Sequence, residues 1–385
     1  MERNSHLVLT LGVEEEFLIA DAKTGCLVPQ SHRLVPRHFK SNGTSHGFAR
    51  ELNLCQIEVA TPVCTSSSEI RSNLWSSRRD LQLAAESAGL VPLPVGSHPF
   101  SSWRDQKVDR SDPRYSKMED DFQQVAREQV ICGCHVHVGI PDPELRIAVM
   151  NRARPWLPVL VAMTANSPFW EGSDTRYDSY RVEVWRRWPT AGMPPTLSSM
   201  SDYAAVLSQL KLVGAAEDPT FVYWYIRPSS RFETLEFRAT DTCLSVDDAT
   251  LLAILVRALV ATCIEHITAD APSTAWRRDA LEAAMWRAAR FGLSGELANP
   301  FTSELRPAHE VVRLLVAHLR TSLERDGEYD EAVAGVERLL IEGNGADRQR
   351  RAMREGASAA EAIGIIAGAM SGFDGLRSAD MAGHP

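Results

Sequence analysis

Apolar and polar positions change texture along the chain. Up to about residue 245, short runs alternate with period two between Gly, Pro and Ser; beyond it the pattern is mostly helical. LVLTLGVEEEFLIAD (Leu7 to Asp21) predicts a strand that closes in a turn at Lys23-Thr24-Gly25, and LCQIEVAT (Leu54 to Thr61) predicts another, ended by Pro62. Between Ser66 and Leu90, Ile70, Leu74, Leu81, Ala84 and Ala88 share roughly one helical face, and Ser66 with Glu69 fits a capping box. LVPLPVGSHPF returns to strand and then loop. QVICGCHVHVGI (Gln129 to Ile140) alternates as a strand, and PELRIAVMNRARPWLPVLVAMTANS after it is helical but bent by Pro155 and Pro158. Ser167 to Pro195 reads as a loop rich in Trp, Arg and Pro. YWYIRPSS and ETLEFRATD predict two more strands, followed by helices from about Asp247 and over 279–290, 307–324, 330–342 and 355–370.

Strands scattered among unequal helices predict an α+β fold with an antiparallel sheet. The expected organisation is one catalytic domain over 1–372, β-rich to about 245 and helical over 246–372, with a flexible tail over 373–385. No G-x-G-x-x-G or Walker A sequence is present, which argues against Rossmann and P-loop nucleotide sites.

Composition narrows the function. The 385 residues are 44% hydrophobic and 24% charged, which is ordinary for a globular protein. A formal net charge of -9 argues against a general nucleic-acid binder, whose affinity rests on neutralising phosphates, but not against a small anion held by local arginines. The seven cysteines are scattered, and Cys132-x-Cys134 alone is a poor zinc signature, so they read as reduced, mostly buried thiols. Thr250 to Ile267 is apolar but interrupted by Arg257 and barely long enough to span a bilayer, so it reads as a core helix. The first residues carry glutamates where a signal peptide would be apolar. The expectation is a cytoplasmic protein with no membrane partner.

Charged residues recur at strand spacing, and this carries the chemistry. Glu14 and Glu16 stand two apart, as do His135 and His137, and Glu236 and Arg238, so each pair projects from one face of its strand. Taken alone, each has an ordinary explanation: a solvated face, core histidines, or an ion pair of little energetic value. Together, among Leu, Val and Ile, they are costly unless a cation neutralises them, and carboxylates with an imidazole favour magnesium or manganese over zinc. Glu58 and Glu51 add two carboxylates, but their seven-residue separation needs a bulge or a strand start between them. Arg227, Arg231 and Arg238, clustered in IRPSSRFETLEFR, suit phosphate or carboxylate. A metallohydrolase built on H-x-H is the competing reading, and it predicts zinc and no use of ATP.

GVEEEF, QIEVATPVC, GSHPFSSW, GCHVHVGI, RPWLPVLVAMTANSPFW, GSDTRYDSYR, IRPSSRFETLEFRATD, RAARFGL and NGADRQR resemble, in order, the bacterial glutamate–cysteine ligase type 2 or carboxylate–amine ligase family of the glutamine synthetase-like superfamily. The resemblance spans about Leu11 to Arg351. It implies a curved, funnel-like antiparallel sheet flanked by helices, with ATP and magnesium (or manganese) as cofactors. It places Glu14, Glu16, Glu51, Glu58, His135 and Glu236 at metal-binding positions, Glu51 with the least secure register. His137 falls on the nucleotide side, with Arg227 and Arg231. Arg227 and Arg238 are expected at the phosphates and the acyl phosphate. The implied reaction phosphorylates a carboxylate, by default the glutamate side chain, and couples it to an amine such as cysteine. Phosphoryl transfer to nitrogen and a non-catalytic nucleotide-binding regulator are the alternatives. Small amino acids are the expected partners, with a homodimer as an option. Activity is expected to fall in acid, with His135 adding sensitivity near pH 6.

Overall fold

The computed structural model describes residues 9–35 and 48–371. The start of the first predicted strand, Leu7 and Val8, and the tail 373–385 lie outside the described residues. The strands are β1 (Leu11–Asp21), β2 (Phe48–Arg50), β3 (Gln56–Ala60), β4 (Leu90–Leu93), β5 (Cys134–Gly139), β6 (Phe169–Trp170), β7 (Ser173–Asp174), β8 (Ile226–Pro228) and β9 (Thr234–Phe237), with a further hairpin of β10 (Glu296–Ala298) and β11 (Leu305–Pro307) among the later helices.

One antiparallel sheet runs β2-β3-β1-β5-β9-β8, while β6 and β7 form a separate small hairpin. The long strand β1 organises it. β3 occupies one edge of β1, and the other edge is shared end to end, with β5 against Leu11–Glu15 and β4 against Leu18–Asp21. Alternation then sorts the side chains. Leu11 and Val13 of β1, with Cys134, Val136 and Val138 of β5, enter the main apolar core beneath the Val246–Thr268 helix. Glu15 shares that face and is matched there by Arg78 of the Ser67–Ser87 helix, which grips it at 2.6 and 3.0 Å. The opposite face carries Glu14, Glu16 and their cross-strand neighbours. The architecture is therefore the expected α+β antiparallel sheet with flanking helices.

Several local expectations are refined. Ser66 caps its helix through Glu69 N–H, but the Glu69 carboxylate reaches past Ser66 to Thr65 N–H, so the box is shifted by one residue. Pro155 sits in the 3-10 turn Arg154–Trp156, which joins the Pro143–Ala153 and Leu157–Thr164 helices. The Val246–Thr268 helix is long and apolar enough to cross a membrane, yet 78% of its most apolar stretch is buried in the fold. Arg257, which interrupts it, is matched inside the protein by Glu328 at 2.5 Å. The helix expected over 307–324 breaks at Leu319 into Ala308–His318 and Arg320–Arg325. The Pro113–Phe122, Met200–Leu212 and Gly345–Glu355 helices were not anticipated. The last begins with a full capping box between Asn344 and Asp347, which places the NGADRQR stretch at a helix start. Six of the seven cysteines are buried, all are free, and neither Cys132 nor Cys134 joins a metal-ligating group.

Candidate active site

Antiparallel register converts the pairs at strand spacing into one acidic surface. Glu16 stands opposite Glu58, Glu14 opposite His135, His137 opposite Glu236, and Glu236 opposite Arg227. Partners directly across a ladder project from the same face. Glu51 joins by a different route. Ala49 pairs with Glu58, and Glu51, two residues further along and just past the end of β2, returns to that face. The strand boundary demanded by the Glu51–Glu58 spacing is thus the turn between β2 and β3.

Two groups of ligand atoms result, each within 4.8 Å of one another: Glu14, His135 and Glu236, and Glu16, Glu51 and Glu58. In the first, His135 Nδ1 lies 3.4 Å from Glu14 and His137 Nε2 lies 3.5 Å from Glu14 and 3.8 Å from Glu236. His137 is oriented by Thr234, whose hydroxyl is 2.9 Å from Nδ1. The buried Nε2 atoms of both histidines lack a hydrogen-bond partner. In the second group, Glu16 accepts the Gly133 N–H at 2.6 Å. Among the described residues, Glu51 and Glu58 have no lysine, arginine or histidine within ion-pair distance.

Electrostatics separate the two groups. Burial drives the Glu16 carboxyl up to about 7, and the Glu51 charge pushes the same way. Burial also raises Glu51, and it raises Glu58 strongly, with Glu14, Glu51 and Glu16 adding repulsion. Three clustered oxygen donors that resist ionisation without a cation fit a divalent metal. In the first group burial opposes ionisation too, but the neighbours prevail. His135 and His137 hold Glu14 well below 4.5, and Arg238 with Arg227 holds Glu236 near 2. Burial, aided by Arg238, drives His135 down to about 4, so it is neutral at physiological pH. The expected sensitivity near pH 6 from His135 is therefore displaced to lower pH, because a buried imidazole beside a guanidinium resists a proton. His137 goes the other way: burial lowers it, but Glu14 and Glu236 raise it further.

The arginines divide as well. Arg227 spends its donors on Glu236 at 2.8 Å and on the carbonyls of Val222 and Thr220 at 2.7 and 3.1 Å. It braces Glu236 and has little left for a phosphate. Arg238 also pairs with Glu236, but its buried Nε has no partner, and its guanidinium lies 5.5 Å from the Trp185 ring centre. Arg231 is exposed at the pocket rim. The pocket over this face holds about 990 Å³ out to its mouth, of which about 160 Å³ is open to a water-sized group. A roomier groove, holding about 1410 Å³ out to its mouth, lies beyond the 50–54 segment, but it contains neither ligand group.

Sequence reasoning missed part of the wall. Arg114, Tyr115 and Met118 come from the unanticipated Pro113–Phe122 helix, and Tyr223 from the segment before β8. Trp185 and Trp188, whose loop carried no individual assignments, also line the pocket, and Trp185 donates to the Tyr223 carbonyl at 2.9 Å. Arg181 is 1% exposed and sits beneath the floor against Gly133, where an added Cβ would lie 2.2 Å from its Nη2. Arg114 and Met118 stand four apart and Trp185 and Trp188 three apart, but only the tertiary structure brings these two runs together at one pocket.

The family model described as glutamate-cysteine ligase family 2 matches residues 10–367. A Salinispora tropica protein carrying the glutamate–cysteine ligase 2 name is 43% identical over 344 residues, covering 89% of this chain and 90% of its own. A Rhodopirellula baltica protein of the same name is 40% identical over 351 residues, covering 90% and 94%. Among solved structures, a Francisella tularensis glutamate–cysteine ligase in complex with AMP superposes with a TM-score of 0.71 at 12% identity, over 94% of this chain and 88% of that one. A bifunctional glutathione synthetase from Pasteurella multocida gives 0.67 at 15% identity, over 94% and 52%. At such identities these likenesses speak for the fold.

Proposed function

The chain belongs to glutamate–cysteine ligase family 2, and from that premise we propose that it activates the side-chain carboxylate of glutamate with ATP and joins it to an amine, cysteine being the default acceptor. The carrying observation is the single sheet face on which Glu14, Glu16, Glu51, Glu58, His135 and Glu236 form two compact donor groups beside a partly free guanidinium.

Glu16, Glu51 and Glu58 would hold one divalent ion, and Glu14, His135 and Glu236 a second. Magnesium or manganese there supplies positive charge against the triphosphate oxygens. The chain's own groups do the positioning. Arg227 fixes the Glu236 carboxylate from below, which keeps that side chain in one rotamer. Arg238 presents its unspent donors where charge develops on the transferring phosphoryl group, with Trp185 shielding its face from water. His137, held by Thr234, completes the nucleotide side, and Arg231 stands at the entrance.

In this reading a carboxylate oxygen attacks the terminal phosphorus and ADP leaves. The amine nitrogen then attacks the acyl carbon, a proton is released, and inorganic phosphate departs as the amide forms. Little covalent chemistry is asked of the protein, and alignment with charge stabilisation accounts for the acceleration. The setting is the cytoplasm, and the partners are small amino acids.

The test is an assay of ADP and phosphate release with panels of carboxylates and amines, followed by product identification. Equimolar ADP, phosphate and amide, dependent on both substrates, is the expected result. Release of no inorganic phosphate alongside a stable N-phosphate would mark phosphoryl transfer instead. Absence of turnover with every pair, from metal-loaded protein that binds ATP, would overturn the ligase reading.

A further inference from the structure

The pocket contains a guanidinium that no carboxylate of the described residues meets at ion-pair distance, the Glu51 charge acting on it only from farther off. Arg114 opens the Pro113–Phe122 helix, where the Asp112 carboxylate accepts its backbone N–H at 2.7 Å and Pro113 takes the first turn. This cap fixes the helix start, so Arg114, Tyr115 and Met118 (at spacings of one and four) face the pocket together. The Arg114 guanidinium lies 5.4 Å from the Phe221 ring centre. Among the described residues it donates no side-chain hydrogen bond and has no carboxylate within 4.0 Å, and its Nε is buried without a partner. Arg227 and Arg238, by contrast, are anchored on Glu236. A partly buried guanidinium with all its donors unspent is costly unless an anion arrives to meet it.

The surroundings specify that anion. Arg114 comes from a different element than the β8–β9 arginines, and its wall is aromatic. Tyr223 packs 5.0 Å from Trp188 and 5.3 Å from Trp185, and the buried Trp188 Nε1 has no acceptor. A planar guanidinium beside aromatic rings, with an indole N–H to spare, matches a planar carboxylate carried on a short, partly apolar skeleton. We propose that Arg114 receives the non-reacting carboxylate of an amino-acid substrate, so that the enzyme selects α-amino acids over the corresponding plain amines. This rests on the ligase reading for the identity of the reaction, while the binding contact itself is measurable without turnover.

The source of the carboxylate, donor or acceptor amino acid, is separated by decarboxylated analogues. Calorimetric binding of L-glutamate, 4-aminobutyrate, L-cysteine and cysteamine would be measured with magnesium and a non-hydrolysable ATP analogue, on the unmodified protein, Arg114→Gln and Arg114→Lys. The unmodified protein is expected to prefer one of the two acids over its decarboxylated partner by ~10- to 100-fold, the value of a charge-assisted hydrogen bond. Arg114→Gln should bring that acid down to the level of its analogue while leaving the analogue and the nucleotide unchanged. Arg114→Lys should fall between. Retained affinity for the ATP analogue shows that the variant is folded. Three results overturn the proposal: unaltered binding of both acids by Arg114→Gln, a loss confined to the nucleotide, or no preference by the unmodified protein for either acid. Acid binding that depends on Arg114 without ADP release from any pair would instead refute the ligase reading and leave this contact standing.

Discussion

Glu16→Gln offers the sharpest test of the cation site, because it should stabilise the protein in one condition and fail to in another. The Glu16 carboxyl is driven from 4.5 to about 7 by burial and by Glu51. An acid whose folded pKa is raised binds more protons folded than unfolded between those values, so its contribution to stability is fully present below 4.5 and is lost as pH rises through 7. A displacement of this size corresponds to about 3 kcal/mol for one group. His135, driven down to about 4, slopes the opposite way over an overlapping range, so the wild-type profile alone is ambiguous. The difference between variant and wild type removes that background. Glutamine keeps a carbonyl oxygen for the Gly133 N–H, now accepted by Glu16 at 2.6 Å, and carries no charge. Urea denaturation without metal should find the two proteins similar at pH 4.5 and the variant more stable by about 3 kcal/mol at pH 7.5. Magnesium should then reverse the order. An ion at a thousand times its dissociation constant adds about 4.1 kcal/mol to the protein that binds it, more than the variant's lead, and the variant has lost a ligand. Parallel stability of the two proteins across this pH range, or equal stabilisation of both by magnesium, would refute the reasoning.

Manganese affinity, followed by the EPR signal of the free ion, should tighten by at least about tenfold per pH unit as pH rises towards 7, since protons must leave Glu16 and the likewise raised Glu51 and Glu58; a flat profile would separate these carboxylates from the metal. Glu14→Gln should lower ADP release by at least ~100-fold, as expected for losing one preorganised electrostatic group, and near-normal turnover would exclude it from the site. Glu236→Gln should lose activity and also about 3–5 kcal/mol of stability, because Arg227 and Arg238 would be left buried without their shared carboxylate; an unchanged denaturation midpoint would count against that clamp. Asn344→Ala, far from the chemistry, should cost about 1–2 kcal/mol by thermal unfolding, since Asn344 caps the Gly345–Glu355 helix.

The amino-acid sequence by itself determined which residues share a face within a strand. Backbone pleating is local, so Glu14 with Glu16, His135 with His137, and Glu236 with Arg238 could be paired by counting two, and the core helix by its apolar length. The family followed from the same stretches. What depends on segments distant in sequence needed the tertiary structure. Cross-strand register set Glu16 against Glu58 and His137 against Glu236, and the β2–β3 turn returned Glu51 to their face. Only the fold distinguished Arg227, whose donors are consumed, from Arg238, which has some to spare, because hydrogen-bond saturation depends on carbonyls that the chain brings in from residues 219–222. The aromatic wall and Arg114 were equally hidden. The short helix that begins at an Asp-Pro step carries only Tyr115, Met118 and Phe122 at helical spacing, and its meaning comes from what stands across the pocket.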